Sequence, residues 1–312
     1  MINQNVLKIT FNITTRLIVT LASILTLLFF LERLTGDPVT TMVGNQASAA
    51  SIDAMREDMG LNRSLLIQYG SFVKQAVNLD FGDSLRFQQP AMDLVLGRFT
   101  ATLALAFSAV MLAFVVGVPL GIYSAIFQHR FDGKLVNFLA GIMQSMPTFW
   151  LGLILLIIFS IHLGWFGSVA NLEDNFFKRV ALPAITLSSP YMARLIRLVR
   201  SSIVDEMKEP YVQTARSKGL TPWHIFTVHV FRNTLVPVIA FIGLDLSTMV
   251  GGSVIVENIF SYSGVGDQMI TAIYNRDYPV VHATVLVISL LVFAINILSV
   301  YLSRIVDPRI SA

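Results

Sequence analysis

Long apolar runs, rather than strict alternation, set the pattern of this chain. A membrane-crossing helix needs roughly 20 mostly apolar residues. Six stretches come near that length: 17–31, 101–127, 135–161, 181–199, 235–256 and 280–302. The first is short, with Arg16 before it and Glu32 and Arg33 after it. A cleaved signal peptide is the alternative there, but the run ends in LERLTGDP, which offers no small-x-small cleavage site. The fourth stretch contains Ser188, Ser189 and Pro190, then Arg194 and Arg197, and its alternative is a soluble amphipathic segment. Its arginines lie at one end, where long stems let the charges snorkel to an interface. The fifth carries Asp245. The pattern predicts an all-α polytopic membrane protein with six transmembrane helices. Pro119, Pro147 and Pro190 are expected to kink their spans. Gly117 and Gly121 form a small-xxx-small pair suited to close helix packing.

Composition points the same way. Of 312 residues, 54% are apolar and 13% charged, against about 25% charged in soluble domains. This balance excludes a disordered chain and argues against a soluble globular enzyme. The absence of cysteine excludes disulfides, zinc–thiolate sites and cysteine nucleophiles. The net charge of +3 includes no basic block dense enough for nucleic acid, and its placement matters more than its size. The N-terminus, 128–134, 194–234 and the C-terminal tail hold thirteen Lys and Arg against five Asp and Glu. Segments 32–98, 173–179 and 257–277 hold nine against thirteen. The positive-inside rule places the first group, with both termini, in the cytoplasm. An outer loop then covers 34–98, with a short helix expected around Ser51–Met59. The chain has no GxxxxGK[ST], HExxH or GxSG string. No catalytic residue and no metal site is therefore assigned, and energy must come from another subunit or from a gradient.

The most informative cytoplasmic stretch is RLIRLVRSSIVDEMKEPYVQTARSKGLTPWHIFTVHVFRNTLVP, beginning at Arg194. Asp205, Glu206, Glu209 and Pro210 suit the start of a short helix. That helix would run over Tyr211–Lys218, with Arg216 and Lys218 near its carboxyl end. Gly219 can then take the left-handed stop position, and Pro222 prevents simple continuation. A second helix, Pro222–Asn233, leads to Pro237 and the fifth span. A short rigid helix between two membrane helices is a protrusion that another protein can grip; an ordinary surface loop is the plain alternative.

Ala215 and Gly219, followed by Leu235 and Pro237, resemble the "EAA" loop of binding-protein-dependent ABC importer permeases. YVQTARSKGL, HVFRNTLVP and GGSVIVENIFSYSGVGDQMITAIYNRDYPVV (251–281) are similar to the dipeptide/oligopeptide/nickel branch, as are MGLNRSLLIQYG (59–70), FGDSL (81–85) and VDPRI (306–310). The resemblance covers nearly the whole chain. Three departures stand out. The triplet that names the loop reads Gln213-Thr214-Ala215, without its glutamate; SYSG replaces a common proline before the glycine; and Asp245 stands where an uncharged polar residue is common.

The resemblance implies a type I ABC importer permease fold, forming a single permease domain over 1–312 with a core at about 99–305 and an EAA-type loop at 200–234. It implies an inner-membrane subunit that is not itself an enzyme. Its partners would be a second, homologous permease, two ATP-binding subunits and an external substrate-binding protein. ATP and magnesium would sit on the ATPases, with no cofactor in this chain. Tyr211–Gly219 would be the coupling helix, with Glu209, Tyr211, Thr214, Ala215, Arg216, Lys218 and Gly219 at the ATPase contact and Arg194–Arg200 as its entry. The cargo class would be di- or oligopeptides, with nickel, a metal chelate or a glutathione-like compound as alternatives.

Asp245 is the only acid well inside an expected span, where a charge costs about 2.5–3.5 kcal/mol on insertion scales. It either lines the path and favours a cationic group or is held by Ser247, Thr248 or a neighbouring helix. Ser247 and Glu257 are further pathway candidates; Glu257 braces an outer gate or faces water. The five histidines make no helical metal pair, with His282 near Asp277 the nearest approach to one. Two rival classes remain: an ion-coupled secondary transporter, which would favour inverted repeats, and an intramembrane protease, which would need a nucleophile and base together.

Overall fold

The computed structural model describes residues 2–34, 53, 56–57, 62–166 and 175–306. The short helix expected around Ser51–Met59 lies mostly outside these residues, although Asp53, Arg56 and Glu57 are helical. The VDPRI string lies outside them after Val306.

Ten principal helices follow in chain order among the described residues: α1 Ile2–Leu34, α2 Leu65–Val77, α3 Ala91–Ile126, α4 Phe131–Ser145, α5 Thr148–Leu155, α6 Phe176–Glu206, α7 Pro210–Ser217, α8 Phe231–Ile259, α9 Val265–Tyr274 and α10 Tyr278–Val306. π-Helical turns extend α5 through Leu156–His162 and lead into α8 over Ile225–Val230, after one turn at Pro222–His224. The all-α class is as expected from the apolar runs.

Three helical segments are long and apolar enough to cross a membrane: Thr15–Leu34, Ala91–Ile126 and Tyr278–Ser299. Phe131–Ser145 with Thr148–His162 makes a fourth if the pair is one span. The described residues thus supply three or four such spans rather than six. Helices α6 and α8 occupy the fourth and fifth expected stretches but are not among them. The kink expected at Pro147 is present, and it is sharp: the two halves of the third expected stretch meet at 103°. Pro147 causes the break. It lacks an N–H, and it pushes the preceding residue out of the helical region, so Met146 sits at φ −79°, ψ 129°. Pro119, Pro183, Pro190 and Pro237, by contrast, lie inside continuous helices.

The chain divides into two compact units, Met1–Thr100 with Val265–Phe293 and Ala101–Gly264 with Ala294–Ala312. In the first, α1 packs on α2. Phe29 and Phe72 are buried with their rings 5.9 Å apart, and Thr26 shares a 2.8 Å hydrogen bond with Tyr69. FGDSL makes a sharp turn at Gly82, where φ is +81°. The buried carboxylate of Asp277 then accepts from the Ser84 hydroxyl and from the Leu85 N–H at 3.2 Å. Two strings far apart in sequence, FGDSL and NRDYP, are thereby one structural feature. His282 is also buried here, edge-on to Phe72 at 4.9 Å and with its Nε2 3.6 Å from the Glu32 carboxylate.

In the second unit α6 is the central helix, packed by α4, α5 and α8. Gly117 and Gly121 of α3 lie directly against it. A Cβ on Gly121 would stand 2.7 Å from Val199 Cβ and 2.9 Å from the Ile196 carbonyl, distances that backbone cannot concede. Gly121→Ala is therefore expected to lower stability by about 1–3 kcal/mol through overpacking, read as a lower melting midpoint in detergent. Gly251→Ala, which meets open space, should leave the midpoint near that of the parent.

Candidate functional site

The short helix expected near 211–218 is present as α7, one residue earlier at its start. Glu209 adopts the extended N-cap conformation, and Pro210 takes the first helical position, where its missing N–H costs nothing. Asp205 and Glu206, expected at the start of this helix, instead end α6. At the other end Gly219 has φ +78°. Its N–H bonds to the Arg216 carbonyl at 2.9 Å, and the Leu220 N–H reaches the Ala215 carbonyl at 3.3 Å. This is the paired hydrogen-bond stop that favours glycine. The second helix expected over Pro222–Asn233 is present, and it continues from Pro222 without a break through π-helical turns into α8.

α7 has two unlike faces. Val212 and Ala215, three apart and so on one side, are buried with Ile203, Ile225 and Val230. Tyr211, Thr214, Arg216 and Lys218 face outward. Thr214 bonds back to the Pro210 carbonyl at 3.1 Å. Beside them Leu220, Val228 and Trp223 are exposed, Trp223 by 72%. The outward surface is thus apolar and basic on a rigid base.

One polar cluster holds α7 at its amino end. The Glu206 carboxylate accepts from the Tyr211 hydroxyl and, at 2.8 Å, from Asn233 Nδ2; Asn233 also donates to the Tyr211 oxygen at 3.1 Å. Partial burial, followed by the Glu206 carboxylate, pushes the Tyr211 hydroxyl up to about 12. Tyr211 therefore keeps its proton at neutral pH. The sequence marked Glu206 only as a helix-start acid and did not mark Asn233, because the triangle is closed only by folding.

The pathway candidates all lie on α8 but take different partners. Asp245 is buried, and its Oδ1 lies 3.1 Å from Arg194 Nη2 of α6. The guanidinium also stacks over the rings of Tyr191, at 4.8 Å, and Phe241, at 5.7 Å. The Arg194 guanidinium thus meets Asp245, because a carboxylate in an apolar region demands a counter-charge. A lone acid in the fifth expected span and arginines in the fourth were the signal that could have suggested the pair. Thr248 donates to the Asp245 carbonyl at 2.8 Å. Ser247, the other local partner considered, instead bonds Asn296 at 2.7 Å.

Glu257 is fully buried and accepts from Ser253 at 3.0 Å, so it does not face water. Gly264 abuts its carboxylate so closely that a Cβ there would collide with it and with Thr102. In SYSG the residue in the left-handed region is Ser261, at φ +47°. The glycine is needed for the close approach, not for the turn. Tyr262 next to it is shifted upward by burial and then by the Glu257 charge.

Residues 117–312 match the family described as "Binding-protein-dependent transport system inner membrane component", and residues 6–106 match the N-terminal region of such membrane components. The glutathione transport system permease protein GsiC of Escherichia coli (strain K12) is 34% identical over 295 residues, covering 94% of this chain and 95% of that protein. The oligopeptide transport system permease protein AppB of Bacillus subtilis (strain 168) is 37% identical over 283 residues, covering 88% and 90%. Among solved structures, the inward-facing MetNI methionine ABC transporter matches with TM-score 0.58 at 19% identity, over 69% of this chain and 97% of that one. That likeness concerns the fold.

Proposed function

The chain belongs to the family of binding-protein-dependent transport system inner membrane components, a permease subunit of an ABC importer and not an enzyme, and from this premise we propose that it moves di- or oligopeptides, glutathione-like tripeptides included. The oligopeptide permease at 37% identity and the glutathione permease at 34% support that cargo class. The chain pairs with a second, homologous permease to line one path. Two ATPases, carrying ATP and magnesium, dock in the cytoplasm, a substrate-binding protein docks outside, and both termini lie in the cytoplasm.

The observation that carries the mechanism is the two-faced geometry of α7. Its underside is locked into the α6–α8 core by Val212 and Ala215, while Tyr211, Thr214, Arg216 and Lys218 are offered outward. Glu209 and Gly219 fix its ends. A push on the outward face is passed to the two long helices because their contact with α7 is packed, not loose. Closure of the ATPases draws the coupling helices together, and the path opens to one side at a time. Asp245 and Ser247 are the residues placed along the path, with Glu257 bracing its outer end.

The natural absence of cysteine permits a direct test. With Lys218→Cys as the sole thiol, a membrane-impermeant maleimide should label everted vesicles and not intact cells. The purified complex should hydrolyse ATP faster when peptide-loaded binding protein is added, and proteoliposomes should accumulate labelled dipeptide. Labelling from outside, or uptake by the isolated chain without ATPases, would overturn the reading.

A further inference from the structure

Three consecutive elements meet at one side chain. Glu206 is the last residue of α6, Tyr211 the second of α7 and Asn233 the third of α8. The Glu206 carboxylate accepts from both of the others, and Asn233 closes the triangle by donating to the Tyr211 hydroxyl at 3.1 Å. The Tyr211 ring also faces the His229 ring of the π-helical lead-in, with centroids 6.3 Å apart. The buried pair Val212 and Ala215 packs the underside of α7, but apolar burial is non-directional. Hydrogen bonds to a charged acceptor are directional and stronger than neutral ones, so the triangle supplies what the apolar underside lacks. Its three corners lie on the elements whose relative motion decides whether a push on α7 reaches α6 and α8.

We propose that Glu206 is a positioning residue for energy coupling: its carboxylate pins the amino end of α7 to the end of α6 and the start of α8, so that the three move as one body. This inference rests on the reading of α7 as the coupling helix. It assigns a role to a residue outside the 209–219 contact surface, and it gives this chain a carboxylate anchor beside a loop that reads Gln213 where its family's glutamate is expected.

The test uses the complete complex in proteoliposomes, with labelled dipeptide uptake and phosphate release measured together and the amount of co-purified ATPase recorded. Tyr211→Phe removes a single hydroxyl, and Glu206→Ala removes the acceptor. Each is expected to lower uptake per ATP by about threefold or more, the population shift that loss of one such hydrogen bond produces, with the ATPases still bound. The double variant should be no worse than Glu206→Ala alone, since both remove the same link. Glu206→Gln keeps an oxygen that accepts both donors, and should retain most of the coupling. An unchanged uptake-to-ATP ratio in Tyr211→Phe and Glu206→Ala, with ATPase bound, overturns the clamp and leaves the coupling helix standing. Equal loss in Glu206→Gln and Glu206→Ala also overturns it, because geometry would then not be the cause. A parent complex that retains no ATPase overturns the coupling reading itself.

Discussion

A proline at position 219 leaves ATP hydrolysis running while peptide uptake falls about tenfold or more. Gly219 sits at φ +78° and donates its N–H to the Arg216 carbonyl. Proline fixes φ near −65° and has no N–H, at a cost of about 3 kcal/mol where neither can be accommodated. The stop of α7 is then lost, and Lys218 and Leu220 no longer leave the helix in their present directions. Space is not the issue, because a Cβ on Gly219 meets nothing within 4 Å. Gly219→Asn should therefore behave far more like the parent, since asparagine enters the left-handed region readily. The check is the ratio of dipeptide uptake to phosphate release in proteoliposomes, at matched amounts of assembled complex. An unchanged ratio in Gly219→Pro would remove α7 from the coupling path.

The second large effect concerns the Arg194–Asp245 pair. Arg194→Ala should destabilise the subunit more than the double change Arg194→Ala with Asp245→Asn. Removing one member of a buried pair strands the other charge, a loss of about 3–5 kcal/mol in fully buried cases. The value here should fall below that range, because the Arg194 side chain remains 37% exposed. The double variant retains no stranded charge and should recover part of the melting midpoint in detergent. If Arg194→Ala melts no lower than the double variant, the pair does not hold Asp245 in place. Substrate range gives a separate reading: if the double variant transports with unchanged selectivity among cationic and neutral dipeptides, Asp245 lies off the path.

Both effects arise at residues whose sequence meaning was legible to different degrees. Gly219 was readable because its reason is local: a helix ends where apolar contacts stop and a residue without Cβ permits the turn. The same holds for the Pro147 break, where the missing N–H dictates an interruption, although the 103° bend depends on what the two halves pack against. Apolar runs marked the helices for a similarly local reason, since a long stretch without charge must bury its backbone in helix. They did not reveal that the helix preceding the fifth span would fuse with it through π-helical turns.

Pairing is what only the folded chain decided. Glu206 looked like an amino-terminal acid of α7 and became the acceptor joining α6, α7 and α8. Arg194 looked like an interfacial arginine and became the counter-charge of Asp245. FGDSL and Asp277 were separate strings and became one dock. The physical reason is common to all three. A polar side chain declares its need for a partner in the sequence, but several partners satisfy that need equally well. The choice among them is made by which helices the apolar core brings within hydrogen-bond distance.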